Sequence, residues 1–389
     1  MLPSKNNRAA GELEGARPAS SWIIAIKNVR QDFLTSVARF FVKRKLHKKC
    51  GVFEACKKVT DFFDTLNKSG DVMKAVLIVL IVICAVLALF YAVGLKFVRM
   101  LILRQDNFPT PETGARSSEL LEPTGNALWA HNIPYFAPFR ELPFEEICIE
   151  SDDGLTLRAD LLRGTGTGRT VMFFHGYKSE PACDFAAMYG FYKSLGHDLI
   201  YVHMRAHGKS DGTCIGFGAL DRYDVVKWTD KAAELFPDND IYLHGMSMGA
   251  ASVLQSMDLE LNENVRGVIA DCGYSDLNTV FRNLVGQLYH LPAMFVDVFE
   301  YVNLLKAGYG FREASSVRSV SAARVPLVYI CGDCDRYVPK DMALEIFNAC
   351  RSPKRLLLVP GAGHAASYMC ARDEYEALIG ELIGGRIDG

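Results

Sequence analysis

Gly245-Met246-Ser247-Met248-Gly249 sets a serine between two glycines, directly after the apolar run Ile241 to Leu243 and directly before Ala250-Ala251-Ser252-Val253-Leu254. Strand, sharp turn and helix in that order form a nucleophile elbow, where the serine occupies a strained turn and two neighbouring positions have no room for side chains. Gly245 and Gly249 supply those positions. The plainer reading is a glycine-flanked helix start at which Ser247 only caps.

A serine hydroxyl is a weak nucleophile at neutral pH. A histidine held by a carboxylate is the best base to take its proton. After an elbow of this kind the acid and then the histidine follow along the chain, and only His290 and His364 lie beyond Ser247. His290 falls in an apolar insert. His364 lies in Gly361-Ala362-Gly363-His364-Ala365, just past a strand expected at 355 to 359, and two glycines let the imidazole reach the sheet edge. His364 is the expected base, against the plainer reading of a loop histidine that caps the next segment.

For the acid, Asp335 ranks first, Asp333 second and Asp271 third. The first two lie in Cys331-Gly332-Asp333-Cys334-Asp335-Arg336-Tyr337-Val338-Pro339, and the third ends a strand expected at 267 to 270. Aspartates that do not serve as the acid form turns or caps. A tetrahedral intermediate carries negative charge on oxygen and needs preorganised backbone N–H groups. The expected donors are Met248, after the nucleophile, and Tyr177, in the loop opened by His175-Gly176. His175 itself is expected to order that loop.

The elements that must position these residues alternate regularly. A hairpin is expected at 146–150 and 155–162, joined at Asp152-Asp153-Gly154. Short apolar strands at 170–174, 199–203, 241–243, 267–270, 326–331 and 355–359 then alternate with helices near 181–195, 220–236, after Ser247, 340–350 and 373–383. That pattern predicts an α/β fold, a mostly parallel sheet with helices on both faces, whose ligands bind beyond the carboxyl ends of the strands. The aromatic stretch at about 272–325 is expected to form a small helical cap, whose apolar residues either line an acyl site or fill the core.

The first part of the chain has a different character. Ala75 to Leu95 is 21 residues without a charge, between Lys74 and Lys96, enough for a helix to cross about 30 Å of hydrocarbon. Residues 1–74 form a basic region, with an amphipathic stripe from Trp22 to Phe40 and the cluster Lys43-Arg44-Lys45-Leu46-His47-Lys48-Lys49. Such a helix either lies on an anionic leaflet or is simply solvated. The basic excess before the span favours a cytoplasmic N-terminus and an extracytoplasmic C-terminal domain. Eleven cysteines without regular spacing point instead to a reducing compartment or an anaerobic habitat. Residues 96–143, with their Pro, Thr, Ser and Glu, are expected to be a juxtamembrane linker that ends by packing onto the next domain.

With 389 residues, net charge −2, half of the residues apolar and 23% charged, the bulk is ordinary globular protein. It offers no basic excess for nucleic acid. The Cys331-x-x-Cys334 pair has no second pair for a zinc site, and Gly164, Gly166 and Gly168 lack the spacing of a dinucleotide loop. No metal and no cofactor are expected.

Phe174-His175-Gly176, Arg205-Ala206-His207-Gly208-Lys209-Ser210, Gly245-Met246-Ser247-Met248-Gly249, Cys331-Gly332-Asp333-Cys334-Asp335 and Gly363-His364 stand in the order and approximate spacing of the α/β-hydrolase superfamily. Cys214-Ile215-Gly216-Phe217-Gly218 and Asp221-Arg222-Tyr223-Asp224 also resemble its membrane-anchored bacterial branch, similar to monoglyceride lipases and serine aminopeptidases. The resemblance covers about 144–385. It implies an α/β-hydrolase domain at 144–389, with Ser247 as nucleophile, Asp335 as acid, His364 as base, and Tyr177 and Met248 as oxyanion donors. His203-Met204-Arg205 departs from the Asp-x-Arg common there, which bears on loop geometry. The expected activity is hydrolysis of small-molecule or lipid esters at a membrane. The alternatives are a peptidase or amidase acting on short peptides, and a scaffold without turnover.

Overall fold

The central apolar runs become strands whose side chains are covered on both faces, while the last strand, at the sheet edge, is only partly covered. In β4 (Asp198–Val202) and β7 (Leu327–Gly332) every residue is buried. The other strands are β1 (Glu145–Glu150), β2 (Thr156–Leu162), β3 (Arg169–Phe174), β5 (Asp240–Met246), β6 (Val265–Asp271) and β8 (Lys354–Val359). In this computed structural model, residues 72–105, 124–290 and 292–387 are described, along with Lys58 and Asp61. The expected amphipathic stripe, the lysine cluster at 43–49 and the middle of the linker at 106–123 lie outside the described residues.

The eight strands form one sheet in the order β1-β2-β4-β3-β5-β6-β7-β8. The first two pairings, β1 with β2 and β2 with β4, are antiparallel, and the remaining ones are parallel. Register aligns the carboxyl ends. Phe174 pairs with Gly245, Gly245 with Ala270, and Gly332 with Val359. The loops after β3, β5, β6, β7 and β8 therefore leave the sheet along one edge.

The helices are α1 (Val72–Phe97), α2 (Gly125–Arg140), α3 (Pro181–Phe185), α4 (Tyr189–Leu195), α5 (Asp221–Leu235), α6 (Met248–Ser256), α7 (Leu277–Tyr289), α8 (Met294–Ala307), α9 (Ser316–Val320), α10 (Lys340–Ala349), α11 (Ser367–Cys370) and α12 (Arg372–Ile383). One face of the sheet buries Trp228, Phe174 and Leu243. The other buries Phe173 stacked on Tyr201, with ring centroids 4.5 Å apart, and Tyr192 and Tyr375.

The chain divides into Met1–Ala85 and Val86–Gly389. Of the first unit, the start of α1 is described, besides Lys58 and Asp61. It exposes Leu77, Ile78, Leu80 and Ile81. As a whole, α1 and its continuation from Met73 to Ile102 are long and apolar enough to cross a membrane. Its ends lie slightly beyond the expected 75–95, because the flanking lysines join the last turns.

In the second unit, the linker expected at 96–143 proves largely structured where it is described. Val98–Ile102 form a π-turn that buries Val98 and Ile102. Leu103 pairs with Cys214 as an isolated bridge. Helix α2 buries Phe136 and Phe139, the latter packed edge-on against Tyr201 at 4.9 Å. Pro134 and Pro138 lie inside this helix. A mid-helix proline costs about 3 kcal/mol, and burial of two aromatic rings offsets it.

The insert after β6 forms α7, α8 and α9 around a ring cluster of Phe281, Phe299 and Phe311, with centroids 4.6 to 5.0 Å apart. The end of α1 joins it. Phe97 lies 5.7 Å from Phe299, and a Cβ at Gly94 would stand 2.6 Å from Val302 Cγ2. Phe299 thus ties the insert to α1. Phe299→Ala is expected to cost about 3–5 kcal/mol, measured by denaturant unfolding of the detergent-solubilised protein.

Candidate active site

Ser247 has φ 51° and ψ −110°, a left-handed conformation that a residue with a Cβ adopts only under constraint. The constraint is the close approach of α6 to β3. A Cβ on Gly249 would lie 1.9 Å from the Phe174 carbonyl oxygen, and one on Gly245 would lie 2.5 Å from Ala250 Cα. Both glycines are therefore required by space. Two backbone hydrogen bonds hold the turn, Ser247 N to the Asp271 carbonyl and Ala251 N to the Ser247 carbonyl, at 2.8 and 2.9 Å.

His364 arrives from the loop after β8. Its Nε2 lies 2.8 Å from Ser247 Oγ, and its Nδ1 lies 2.7 Å from Asp335 Oδ2. A carboxylate only accepts, so Nδ1 carries the proton and Nε2 is the acceptor facing the serine hydroxyl. The other oxygen of Asp335 accepts from the N–H groups of Tyr337 and Val338, at 2.8 and 2.9 Å. The Asp335 side chain is fully buried and that of His364 is 14% exposed. Burial works against an imidazolium. The Asp335 carboxylate outweighs it, with smaller help from Asp271 and Asp184, and holds the His364 pKa above the usual histidine value.

The other candidates have different places. Asp333 accepts from Gly361 N at 2.7 Å and so pins the loop carrying His364 to the turn after β7. Asp271 lies fully buried under the elbow and accepts from the Tyr375 hydroxyl at 3.0 Å. His290 ends α7 as an exposed residue. Met248 is the first residue of α6, where helix N–H groups lack intrahelical partners. The loop with Tyr177 passes over the serine, since a Cβ on Gly176 would be 3.4 Å from Ser247 Cβ.

His175 and His207 both hold backbone. His175 Nε2 accepts from Met204 N at 3.1 Å, and His207 Nε2 accepts from Lys178 N at 3.1 Å. Burial lowers the His207 pKa to about 4, which keeps the ring neutral. His203, where relatives of the resembled branch often carry aspartate, pairs with Asp160 at 3.0 Å and packs against Gly208. Arg205 makes a two-pronged bond to Asp224, both contacts at 2.7 Å. Asp184 was not legible in the sequence, because no motif surrounds it. It accepts from Gly176 N at 2.6 Å and from the Ser179 hydroxyl at 2.7 Å.

Cys331 is buried and Cys334 exposed. Among the described residues one group has metal-type atoms close together, Cys272, Asp335 and His364. His364 is already engaged on both nitrogens, and burial with Asp271 and Asp335 nearby pushes the Cys272 thiol far up. Without a bound cation that thiol stays protonated, a poor rival to Ser247 as nucleophile.

The fold matches solved structures. The chain is similar to the esterase Pf2001 of Pyrococcus furiosus, with 20% identity and a TM-score of 0.52 over 63% of this chain and 91% of that one. A second structure of that esterase gives 19% and 0.51. The chain has the α/β-hydrolase fold. No protein-family model matches it. The chain is also similar to the uncharacterized protein YqkD of Bacillus subtilis, 24% identical over 259 residues, 65% of this chain and 83% of that one, and to YfhR of Escherichia coli K12, 25% identical over 167 residues. The latter match covers 42% of this chain and about half of YfhR, 52%.

Removing the Asp335 charge leaves the imidazole buried without its main support. Asp335→Asn is expected to lower the His364 pKa below the wild-type value, read from the ring proton shifts of His364 in an NMR pH titration.

Proposed function

We propose that this chain is a membrane-tethered serine hydrolase that cleaves carboxylic esters, lipid acyl esters among them, through an acyl-enzyme on Ser247. One observation carries the reading: Ser247, His364 and Asp335 form an unbroken hydrogen-bonded chain at 2.8 and 2.7 Å, with the serine on a strained elbow.

In this reading Ser247 Oγ attacks the ester carbonyl carbon while His364 Nε2 takes its proton, and Asp335 steadies the imidazolium. The carbonyl oxygen becomes an oxyanion between the N–H groups of Tyr177 and Met248. Collapse breaks the ester C–O bond. His364 gives its proton to the departing alkoxide, and the acyl group remains on Ser247. Water then attacks the acyl carbon as His364 takes the water's proton, and collapse returns that proton to Ser247 with release of the acid.

Two features support an apolar substrate near a membrane. Helix α1 has the length and apolarity of a span. On α8, which packs against α1, Met294, Tyr301, Leu304 and Leu305 are exposed. The esterase Pf2001 lends its name to the same bond class. In this reading the basic N-terminal region faces the cytoplasm and the catalytic domain lies outside. Cys148, Cys334 and Cys370 are exposed, so an impermeant maleimide added to intact cells is expected to label them, and protection until lysis would reverse the orientation.

A fluorophosphonate probe is expected to label the full-length protein at Ser247, with no labelling of Ser247→Ala. Ester turnover should fall at least about 10⁴-fold in Ser247→Ala and His364→Ala. Because His364 must be neutral to act as base, kcat/KM should rise with pH through an inflection above the ordinary histidine value of about 6.5. Turnover of aminoacyl amides with none of esters would replace the esterase by a peptidase.

A further inference from the structure

The loop over Ser247 is held from an unexpected direction. Its backbone N–H groups at Gly176 and Lys178 are engaged inside the domain by Asp184 and His207. Tyr177 lies between them. Its neighbour Lys178 has φ 50° without being glycine, a conformation that persists only where surroundings over-determine it. Both side chains reach back to the segment that leaves α1. The Tyr177 hydroxyl donates to the Leu101 carbonyl at 2.9 Å. Lys178 Nζ donates to the Met100 carbonyl at 2.8 Å and to Gln105 Oε1 at 3.1 Å.

That segment is itself rigidly seated. Ile102 is fully buried. Ile215 N donates to the Ile102 carbonyl, and Arg104 N to the Thr213 carbonyl, each at 2.8 Å. The Arg104 guanidinium donates to the carbonyls of Ser210 and Gly208 at 2.5 and 2.8 Å. The loop with His207, which holds Lys178 N, is therefore clamped by the same six residues that hold the Tyr177 and Lys178 side chains.

We propose that residues 100–105, where the chain leaves the apolar helix, are a positioning element of the active site: they fix the loop that offers the Tyr177 N–H to the oxyanion. The proposal rests on the reading of Ser247 as a hydrolytic nucleophile. An oxyanion donor acts only when held where charge develops, and loss of one such donor lowers kcat by about 10²–10³. Loosening a donor without deleting it is a smaller loss. The segment thus makes turnover depend on the docked end of the helix, and a chain trimmed to begin after Gln105 would lack part of its catalytic machinery.

The experiment uses the full-length protein in detergent micelles, with active sites counted by fluorophosphonate titration so that misfolded molecules do not enter kcat. Tyr177→Phe removes the hydroxyl and keeps the ring and backbone N–H. Lys178→Met removes the ammonium and keeps much of the apolar stem. Measured quantities are kcat and KM on a short-chain ester, and the Ki of an alkyl boronic acid, whose tetrahedral adduct on Ser247 places an oxygen at the oxyanion position. The expected result is about a tenfold fall in kcat for each variant, as for loss of about one hydrogen bond's net free energy, and a larger fall for the pair. Boronate Ki should rise in parallel and KM stay near the wild-type value. Lys178→Arg, which keeps a donor cation, should recover most of the loss. A double variant with wild-type kcat and boronate Ki would overturn the proposal alone, as would a fall in kcat with unchanged boronate Ki. Absence of Ser247-dependent turnover in the wild-type protein would overturn the hydrolase reading and this proposal together.

Discussion

The site depends on how closely α6 crosses β3. With Gly249 against the Phe174 carbonyl there is no space for even a methyl group, and the chain can make the turn only by putting Ser247 at positive φ. Left-handed backbone costs about 1–2 kcal/mol for a residue with a Cβ. The cost is offset by the buried helix, by the backbone bond from Ser247 N to Asp271, and by the packing of Met248, Ala250 and Ala251. The strain lifts the hydroxyl clear of the sheet edge and toward His364. A relaxed turn would lower it.

Around that turn, two loops behave as one body. The backbone of Gly332 approaches Ala362 so closely that a Cβ would be 2.1 Å from its carbonyl oxygen, and Cys334 N donates to the same oxygen at 3.0 Å. Asp333 closes the far side through Gly361. The loops carrying the acid and the base are thus fastened to each other at several points. Below them runs a buried chain of polar groups, Asp271 to Tyr375 to His244 to Tyr192, with steps of 3.0, 3.0 and 2.8 Å. Burial lowers the His244 pKa to about 3 and raises that of Asp271 to about 7. His244 thus stays neutral, and the network links β5, β6, α4 and α12 through hydrogen bonds that are strong where water is excluded.

Much of this was legible because the relevant signals are local. Glycine spacing and flanking apolar runs announce an elbow, and His364 and Asp335 each follow a strand at short range. Of the two aspartates in the turn after β7, it is the first-ranked Asp335 that meets His364. What escaped was non-local. Asp184 has no motif, since its partners are backbone N–H groups brought close by folding. The proline and acidic content of 96–143 reads as a tether that packs only at its end, yet Val98 and Ile102 near its start are buried as well as Phe136 and Phe139, because the insert and the sheet present apolar surface to both parts. His203 likewise found a local meaning only when β2 brought Asp160 beside it.

The sequence by itself determined the order of strands and helices from β1 onward, the turn that strains Ser247, and which histidine and aspartate lie one loop beyond a strand, because propensity, periodicity and glycine sterics act over a few residues. The tertiary structure decided that Ser247, His364 and Asp335 lie within hydrogen-bonding reach. It also decided that Asp271 lies beneath the elbow, and that the end of α1 holds the loop above it. Those facts depend on strand register and on side chains separated by many residues, and only packing of the whole domain brings such groups together.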